Sequence, residues 1–229
     1  LPGSVVRQEA QDRADEMARQ QAHPVSRKQM RDLKAQVLNE LLPRALVRRR
    51  MTRAWIDSAS RWMAIDTAGE AKAEQFMEVL RRTDEGFPAR RLDTERSPAS
   101  AMSQWLIQGE VPGAFTIDQD LELRAADGSK ATVRYVRHSL EGKEIRDHIN
   151  GGKTVVRLGL TWNDRISFVL TEQLQIKRVT FLDILKREAD AEVEDDDQQF
   201  EIDFALMSGE LALLLADLTK ALGGEKPRT

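Results

Sequence analysis

The amino-acid sequence predicts an α+β fold, with a mainly antiparallel sheet flanked by a helical hairpin and a C-terminal helix. Apolar and polar residues alternate through residues 153–181, which is typical of meandering strands. Apolar residues recur at helical spacing near residues 26–42 and 211–222, on either side of this region. The 229 residues, 41% hydrophobic and 32% charged, suffice for one large domain or two small ones.

Residues 1–46 are predicted to form a helical hairpin arm. A polar helix over 4–22 ends at His23-Pro24, and Ser26 caps a second helix that Pro43 ends. The first helix has a thin apolar stripe and is expected to face mostly water. The second is expected to face a core through Met30, Leu33, Val37, Leu38, Leu41 and Leu42.

Residues 47–140 are predicted to form an α/β region. The expected elements are strands over 50–57 and 62–66, helices over 71–80 and 98–109, and a hairpin whose turn is Asp127-Gly128. Trp55 and Trp62 fall in the first two strands. We expect both in a core, and they do not indicate a surface that stacks bases.

Residues 141–229 are predicted to contain the antiparallel meander, an acidic loop over 188–197 and the C-terminal helix, which Gly223-Gly224 ends. Trp162 and Phe168 are expected to pack against this helix, because burying a large apolar side chain contributes about 2 kcal/mol. The other face of the meander is expected to be partly basic, through Arg157 and Lys177.

Several classes of function are disfavoured by what the sequence lacks. Without Cys there can be no disulfide, thiolate zinc site or Cys nucleophile. The phosphate-loop, dinucleotide-binding and zinc-protease motifs are absent, and the three histidines are too far apart for a helical metal pair. No apolar run is long enough to span a membrane. We therefore expect no cofactor, no bound metal and no membrane partner, in a cytoplasmic setting.

Charge is distributed unevenly along the chain. Residues 188–229 contain 12 acidic and three basic side chains, which leaves 32 basic and 26 acidic ones in residues 1–187. A basic body with an acidic tail is typical of proteins that bind polyanions. Chance clustering of solvated surface charges would give the same counts.

Two basic clusters are the candidate polyanion-binding residues. The first is an acid-free, arginine-rich stretch, and the planar fork of Arg suits phosphate. The second lies on the predicted hairpin, where a basic strand could follow a phosphate backbone or could be a solvated edge strand. The candidates are Arg44, Arg48, Arg49 and Arg50 in the first cluster, and Lys130, Arg134, Arg137 and His138 in the second.

The acidic stretch over 192–197 suggests an alternative, a metal-dependent DNA exonuclease. Two-metal sites need carboxylates brought together from separate rigid elements, and a contiguous loop seldom does this. A solubilising loop is therefore the favoured interpretation. A third hypothesis is a scaffold in which the helical hairpin binds a protein partner.

Short motifs distributed along the chain resemble the bacterial recombination-associated protein RdgC family. They are Leu41-Leu42-Pro43-Arg44-Ala45, Trp55-Ile56-Asp57, Asp147-His148-Ile149 followed by Gly152-Lys153, Leu160-x-Trp162, and Phe204-x-Leu206-Met207-x-Gly209-Glu210-Leu211. Their order and spacing match over essentially all of residues 1–224. The resemblance also implies that relatives carry an additional segment ahead of Leu1.

The resemblance implies a non-enzymatic DNA-binding protein of the nucleoid. Such a protein forms a ring-shaped dimer around duplex DNA, binds single and double strands with little sequence preference, and restrains the RecA recombinase by occupying DNA. The family's DNA-contact positions correspond to Arg44, Arg137 and His138. The ring's closing interface corresponds to the turn that contains Pro43 and Leu46.

Overall fold

The structure is a computed structural model that describes residues 1–46, 51–67, 69–182 and 196–227. The chain has an α+β architecture and divides into two compact units, Leu1–Thr52 and Arg53–Thr229. In its described residues the first unit is helical, and all the described strands belong to the second.

The first unit is the predicted helical hairpin. Helix α1 spans Gly3–Gln21 and α2 spans Arg27–Leu41, followed by a 3₁₀ turn over Leu42–Arg44. A capping box begins α2. The Ser26 hydroxyl accepts the Gln29 N–H at 3.3 Å, and Gln29 Oε1 accepts the Ser26 N–H at 2.9 Å. The prediction of a cap at Ser26 is therefore confirmed.

The core of this hairpin is small, because the fully buried residues of α1 are both alanines. Its buried residues are Ala10, Ala14, Leu33 and Val37. The expectation that Leu38 and Leu42 face a core is wrong, since they are 41% and 57% exposed. Two helices bury one face each, and Leu38 lies about 100° around the helix from buried Val37.

The second unit contains two antiparallel sheets and four described helices. Its elements are β1 (Arg53–Asp57), β2 (Trp62–Asp66), α3 (Glu70–Thr83), α4 (Pro98–Gln108), β3 (Phe115–Ala125), β4 (Thr132–Tyr135), α5 (Lys143–Asn150), β5 (Lys153–Trp162), β6 (Ile166–Thr171), β7 (Ile176–Phe181) and α6 (Asp196–Ala221). Strands β1 and β2 pair as a separate hairpin, and the other five form a sheet of order β4-β3-β5-β6-β7.

One face of the five-stranded sheet forms the main core with α4, α5 and α6. The prediction that Trp162 and Phe168 pack with the C-terminal helix is confirmed, since both are buried in one cluster with Leu214 and Leu218. The indole N–H of Trp162 also donates to Asp217 Oδ2 at 2.9 Å. This hydrogen bond satisfies the polar atom of a buried ring.

The prediction of a core position for Trp55 and Trp62 is wrong. Both are only half-buried, and neither belongs to the two described core clusters. A two-stranded hairpin buries little of its own surface, so the alternating pattern of β1 and β2 does not produce a core. Helix α3 has no buried residue either.

Helix α6 begins earlier than predicted. Its first residues, Asp196 and Asp197, were assigned to the acidic loop, while residues 188–195 of that loop lie outside the described residues. The carboxylate of Asp197, in the first turn, is favoured there by the helix dipole, which accounts for the earlier start. The predicted termination is confirmed, because Gly223 and Gly224 have φ values of 88° and 98°.

Candidate nucleic-acid interface

The first basic cluster begins at the turn that ends α2. Pro43 occupies the first turn of the 3₁₀ helix, and both Pro43 and Arg44 are exposed. Leu46 is 99% exposed. The pKa of Glu40 lies below its usual range, chiefly because Arg13 donates a hydrogen bond to it, with a smaller contribution from the charge of Arg44. Arg48, Arg49 and Arg50 lie outside the described residues.

The second basic cluster lies on and beyond the β3–β4 hairpin. Asp127 and Gly128 form its turn, as predicted, with Asp127 Oδ1 accepting the Ser129 N–H at 2.9 Å. Lys130 lies in this turn and Arg134 lies on β4, opposite Glu122. Both cations are exposed.

Arg137 and His138 do not lie on the hairpin strand, so that expectation is wrong. Strand β4 ends at Tyr135, and Arg137 adopts a left-handed backbone conformation with φ 51°. Two hydrogen bonds to residues of β3 hold this turn in place. The Arg137 N–H donates to Asp120 Oδ1 at 3.2 Å, and the His138 N–H donates to the Gln119 carbonyl at 3.1 Å. These hydrogen bonds, donated by two backbone N–H groups, therefore fix the turn that carries the two exposed polar side chains.

A β-bulge in β3 makes this anchoring possible. The register between β3 and β5 breaks between Ile117 and Leu121, and Gly159 of β5 lies against the irregular segment. A Cβ at Gly159 would lie only 3.1 Å from the Cβ of Asp118 and 3.3 Å from that of Asp120. Glycine therefore leaves the space in which the bulge aims Asp120 at the turn.

His138 is oriented by its neighbours. Its Nδ1 lies 2.7 Å from the Ser139 carbonyl oxygen, which can only accept, so the neutral ring carries its proton on Nδ1. The ring also lies against Tyr135, with 5.3 Å between centroids. Protonation of the other nitrogen would add a positive charge beside Arg137.

The face of the five-stranded sheet opposite the core is called here the open sheet face. One cleft of about 80 Å³ on this face is lined by six charged residues: Asp120, Glu122, Arg134, Arg157, Lys177 and Arg178. The prediction that this face is partly basic, through Arg157 and Lys177, is confirmed. Neighbouring Leu158 and Ile176 point to the core side, because successive strand residues alternate between faces.

A second, larger cleft of about 550 Å³ has the opposite charge. It is lined by Glu110, Asp118 and Glu141 and by one cation, Arg146. Burial raises the pKa of Asp118, while a hydrogen bond from Thr161 partly opposes this effect. An acidic lining repels a polyanion, so charge favours the open sheet face over the larger cleft.

Two absences among the described residues bear on function. Among the described residues, no three His, Asp or Glu side chains lie close enough together to hold a metal ion. The carboxylates of the nuclease alternative at positions 192–195 lie outside those residues. Within the same ranges, no helix is both long and apolar enough to cross a membrane.

The sequence interpretation missed Asp120, Gly159 and Arg178. Gly159 interrupts an otherwise alternating apolar strand, and such a glycine indicates a bulge or a close approach of another chain segment. That signal was present in the sequence. Nothing local marks Asp120 as the residue that joins Arg137 to Arg178, because those contacts span 17 and 58 residues.

These features define an α+β protein whose candidate site is a set of exposed cations on a hairpin, a turn and the open sheet face. A sequence model of the family described as "Putative exonuclease, RdgC" matches residues 1–225. The chain belongs to the RdgC family.

Relatives in three bacterial genera agree with this assignment, and each carries the name Recombination-associated protein RdgC. The relative in Cupriavidus pinatubonensis is 51% identical over 226 residues, which is 99% of this chain and 76% of that protein. The Burkholderia ambifaria relative is 51% identical over 99% of this chain and 74% of its own length. The Bordetella parapertussis relative is 49% identical over 99% of this chain and 76% of its own length.

Proposed function

We propose that the protein binds DNA independently of sequence and acts without catalysis, as a ring-shaped homodimer of the nucleoid in the cytoplasm. By occupying single- and double-stranded DNA it restrains recombination by RecA. Membership of a family whose relatives are named recombination-associated supports this proposal. The observation that carries it is the turn at Arg137 and His138, where hydrogen bonds from two backbone N–H groups hold an exposed arginine and an exposed histidine in place.

The charges at this site are available to a ligand. Among the described residues, no acidic side chain pairs with the side chains of Lys130, Arg134 or Arg137. An exposed cation without an acidic partner keeps its full attraction for a phosphate, and Arg can donate two parallel hydrogen bonds to it. Phosphate contacts carry no sequence information, which accounts for the proposed lack of sequence preference.

Exposed apolar side chains in each unit support the dimeric ring. A two-fold ring needs two separate self-complementary contacts. Leu46 is 99% exposed in the first unit, and on α6 of the second unit Phe200 is 68% and Phe204 49% exposed, with their rings stacked. Large exposed apolar side chains of this kind favour burial against another protein surface.

Fluorescence anisotropy over a salt series tests the DNA-binding proposal, using two unrelated duplexes and one single strand. We expect similar affinities for the two duplexes and a linear fall of log K with log[salt], by about 0.9 per phosphate neutralised on duplex DNA. Strong preference for one duplex would contradict it, and so would affinity that is independent of salt.

The exonuclease alternative derives specific support from the family description. End-labelled DNA incubated with the protein in Mg²⁺ or Mn²⁺ separates the two functions. We expect DNA of unchanged length, with the chelator EDTA leaving DNA binding intact. Progressive shortening that EDTA abolishes would replace the non-catalytic proposal with the nuclease.

A further inference from the structure

We propose that the cleft on the open sheet face binds a backbone phosphate of DNA, with Lys177 and Arg134 as its principal donors. This inference rests on the proposed DNA binding and adds a second contact region to it. The cleft volume of about 80 Å³ is sufficient for a phosphate group. Its cations come from β4, β5 and β7, so three strands of a rigid sheet position them.

The strand register brings these side chains together. Arg134 lies opposite Glu122, and Glu122 lies opposite Arg157, so the three residues form one cross-strand row. Lys177 lies opposite Val169 of β6, on the same face of the sheet. Arg134 and Lys177 lie on the two edge strands of the sheet, and their long side chains reach one cleft that Arg157 of the central strand also lines.

The charges in the cleft do not cancel. Asp120 pairs with Arg178 at 3.3 Å, and Glu122 approaches Arg157 at 3.8 Å. Within the described part of the chain, the side chains of Arg134 and Lys177 pair with no acid. Two acids therefore face four cations, and the excess positive charge lies on the two residues without acidic partners.

Glu122 is the group that an incoming phosphate would compete with. Its side chain is only 18% exposed, against 45% for Arg157. The 3.8 Å separation is longer than a hydrogen bond, so the guanidinium of Arg157 is held near the cleft without being saturated. A phosphate can therefore recruit Arg157 while Glu122 still repels it.

The cleft and the turn at Arg137 share one anchoring residue, Asp120. The two oxygens of Asp120 divide between them, since Oδ1 accepts the Arg137 N–H and Oδ2 accepts Arg178 Nη1. One partly exposed carboxylate thus holds both the implied contact residue Arg137 and a cation of the cleft, Arg178. A DNA strand that passes Arg137 therefore meets further positive charge along β7.

The test is Lys177→Gln, with Lys220→Gln as its matched control. Lys220 is an exposed cation of α6, which packs on the core side of the same sheet. In the anisotropy salt series, Lys177→Gln should flatten the slope by about one unit and weaken both duplexes about tenfold at 0.1 M salt. Lys220→Gln should leave the slope unchanged.

Glu122→Gln gives a second readout with the opposite sign. It removes the negative charge that repels the phosphate, so DNA should bind several-fold more tightly. This is the size of effect expected from one fewer like charge beside a phosphate. Lys177→Arg should retain the wild-type slope, which shows that charge rather than lost packing causes the effect of Lys177→Gln. The far-ultraviolet circular dichroism spectrum of each variant checks its fold.

The outcomes separate this inference from the function on which it rests. If the wild-type protein binds neither duplex, the proposed function and the cleft both fail. If the wild type binds with a steep salt slope but Lys177→Gln and Glu122→Gln match it, only the assignment of the cleft is overturned. A loss confined to one duplex sequence would also overturn it, because a phosphate contact weakens all sequences alike.

Discussion

The two faces of the five-stranded sheet use the same strands for different purposes. The face under α4, α5 and α6 is a continuous apolar core, whereas the open sheet face carries four cations and two acids beside one cleft. Leu158 and Arg157 are adjacent in sequence, yet the first is fully buried and the second is half-exposed. Alternation along a strand thus separates what stabilises the fold from what can bind a charged ligand.

The largest expected effect comes from a substitution on the core face of the sheet, which α4, α5 and α6 cover. Leu158→Ala should lower the free energy of unfolding by about 3 kcal/mol, because it leaves a cavity in a core whose neighbours cannot fully collapse. Urea unfolding measures the loss. Arg157→Ala is the neighbouring control on the open sheet face and should cost less than about 1 kcal/mol. Equal costs at the two positions would contradict the division between the faces.

The next largest effect concerns the β-bulge of β3, which lies against Gly159. Gly159→Ala should lower the free energy of unfolding by about 1–3 kcal/mol, since its Cβ would press on Asp118 and Asp120. Gly209→Ala is the control, because a Cβ there has no neighbour within 4 Å and lies inside α6. That substitution should stabilise the helix by up to about 1 kcal/mol. Destabilisation by Gly209→Ala alone would contradict this account of the bulge.

A pH dependence follows from Asp118 in the acidic cleft. Burial raises its pKa above the ordinary value of 3.8, so the folded state holds this proton more tightly than the unfolded chain does. The stabilisation that this bound proton gives the folded state is complete below the ordinary pKa and is lost as pH rises through the raised pKa. Asp118→Asn should therefore increase stability at neutral pH and flatten this part of the pH profile.

Thermal unfolding from pH 3 to pH 7 checks the prediction at Asp118 (a range of about four units around the ordinary Asp pKa). The Asn side chain can still accept a hydrogen bond from the Thr161 hydroxyl, which in the wild-type protein donates to Asp118 Oδ1 at 2.9 Å. Asp120→Asn is not equivalent, because it disturbs the anchor of Arg137. A variant Asp118→Asn that is less stable than wild type at pH 7 would refute the burial argument.

Self-association is expected to change without a change in folding. Leu46→Asp should weaken the proposed dimer, because it would bury an unpaired charge if this turn lies at a contact. The monomer should remain folded, since Leu46 is 99% exposed in the single chain. Sedimentation velocity measures the association state. Unchanged association would remove this turn from the interface.

The sequence predicted the sheet better than the site, and the residues show why. Alternating apolar positions from Val155 to Phe168 record burial on one face, so the meander and its contact with α6 could be anticipated. The same alternation in β1 and β2 gave a wrong expectation for Trp55 and Trp62. A strand pattern records which residues share a face, but not whether another layer covers that face.

The candidate site depends on contacts that no local pattern contains. Local charge was sufficient to find Arg134 and Arg137, but their arrangement is set by the bulge at Asp118–Asp120 and by space at Gly159. Arg178 enters the site through a contact with Asp120 across 58 residues. Such pairings follow from strand order and register, which are tertiary properties.

The most direct test of the central claim compares wild type with Arg44→Ala/Arg137→Ala on two unrelated duplexes across a salt series. Removing two proposed phosphate contacts should flatten the slope of log K against log[salt] by roughly two units and weaken both duplexes alike. The backbone anchor at Asp120 survives, because Arg137→Ala keeps the N–H that donates to it. A slope equal to that of the wild type would show that these arginines do not contact DNA.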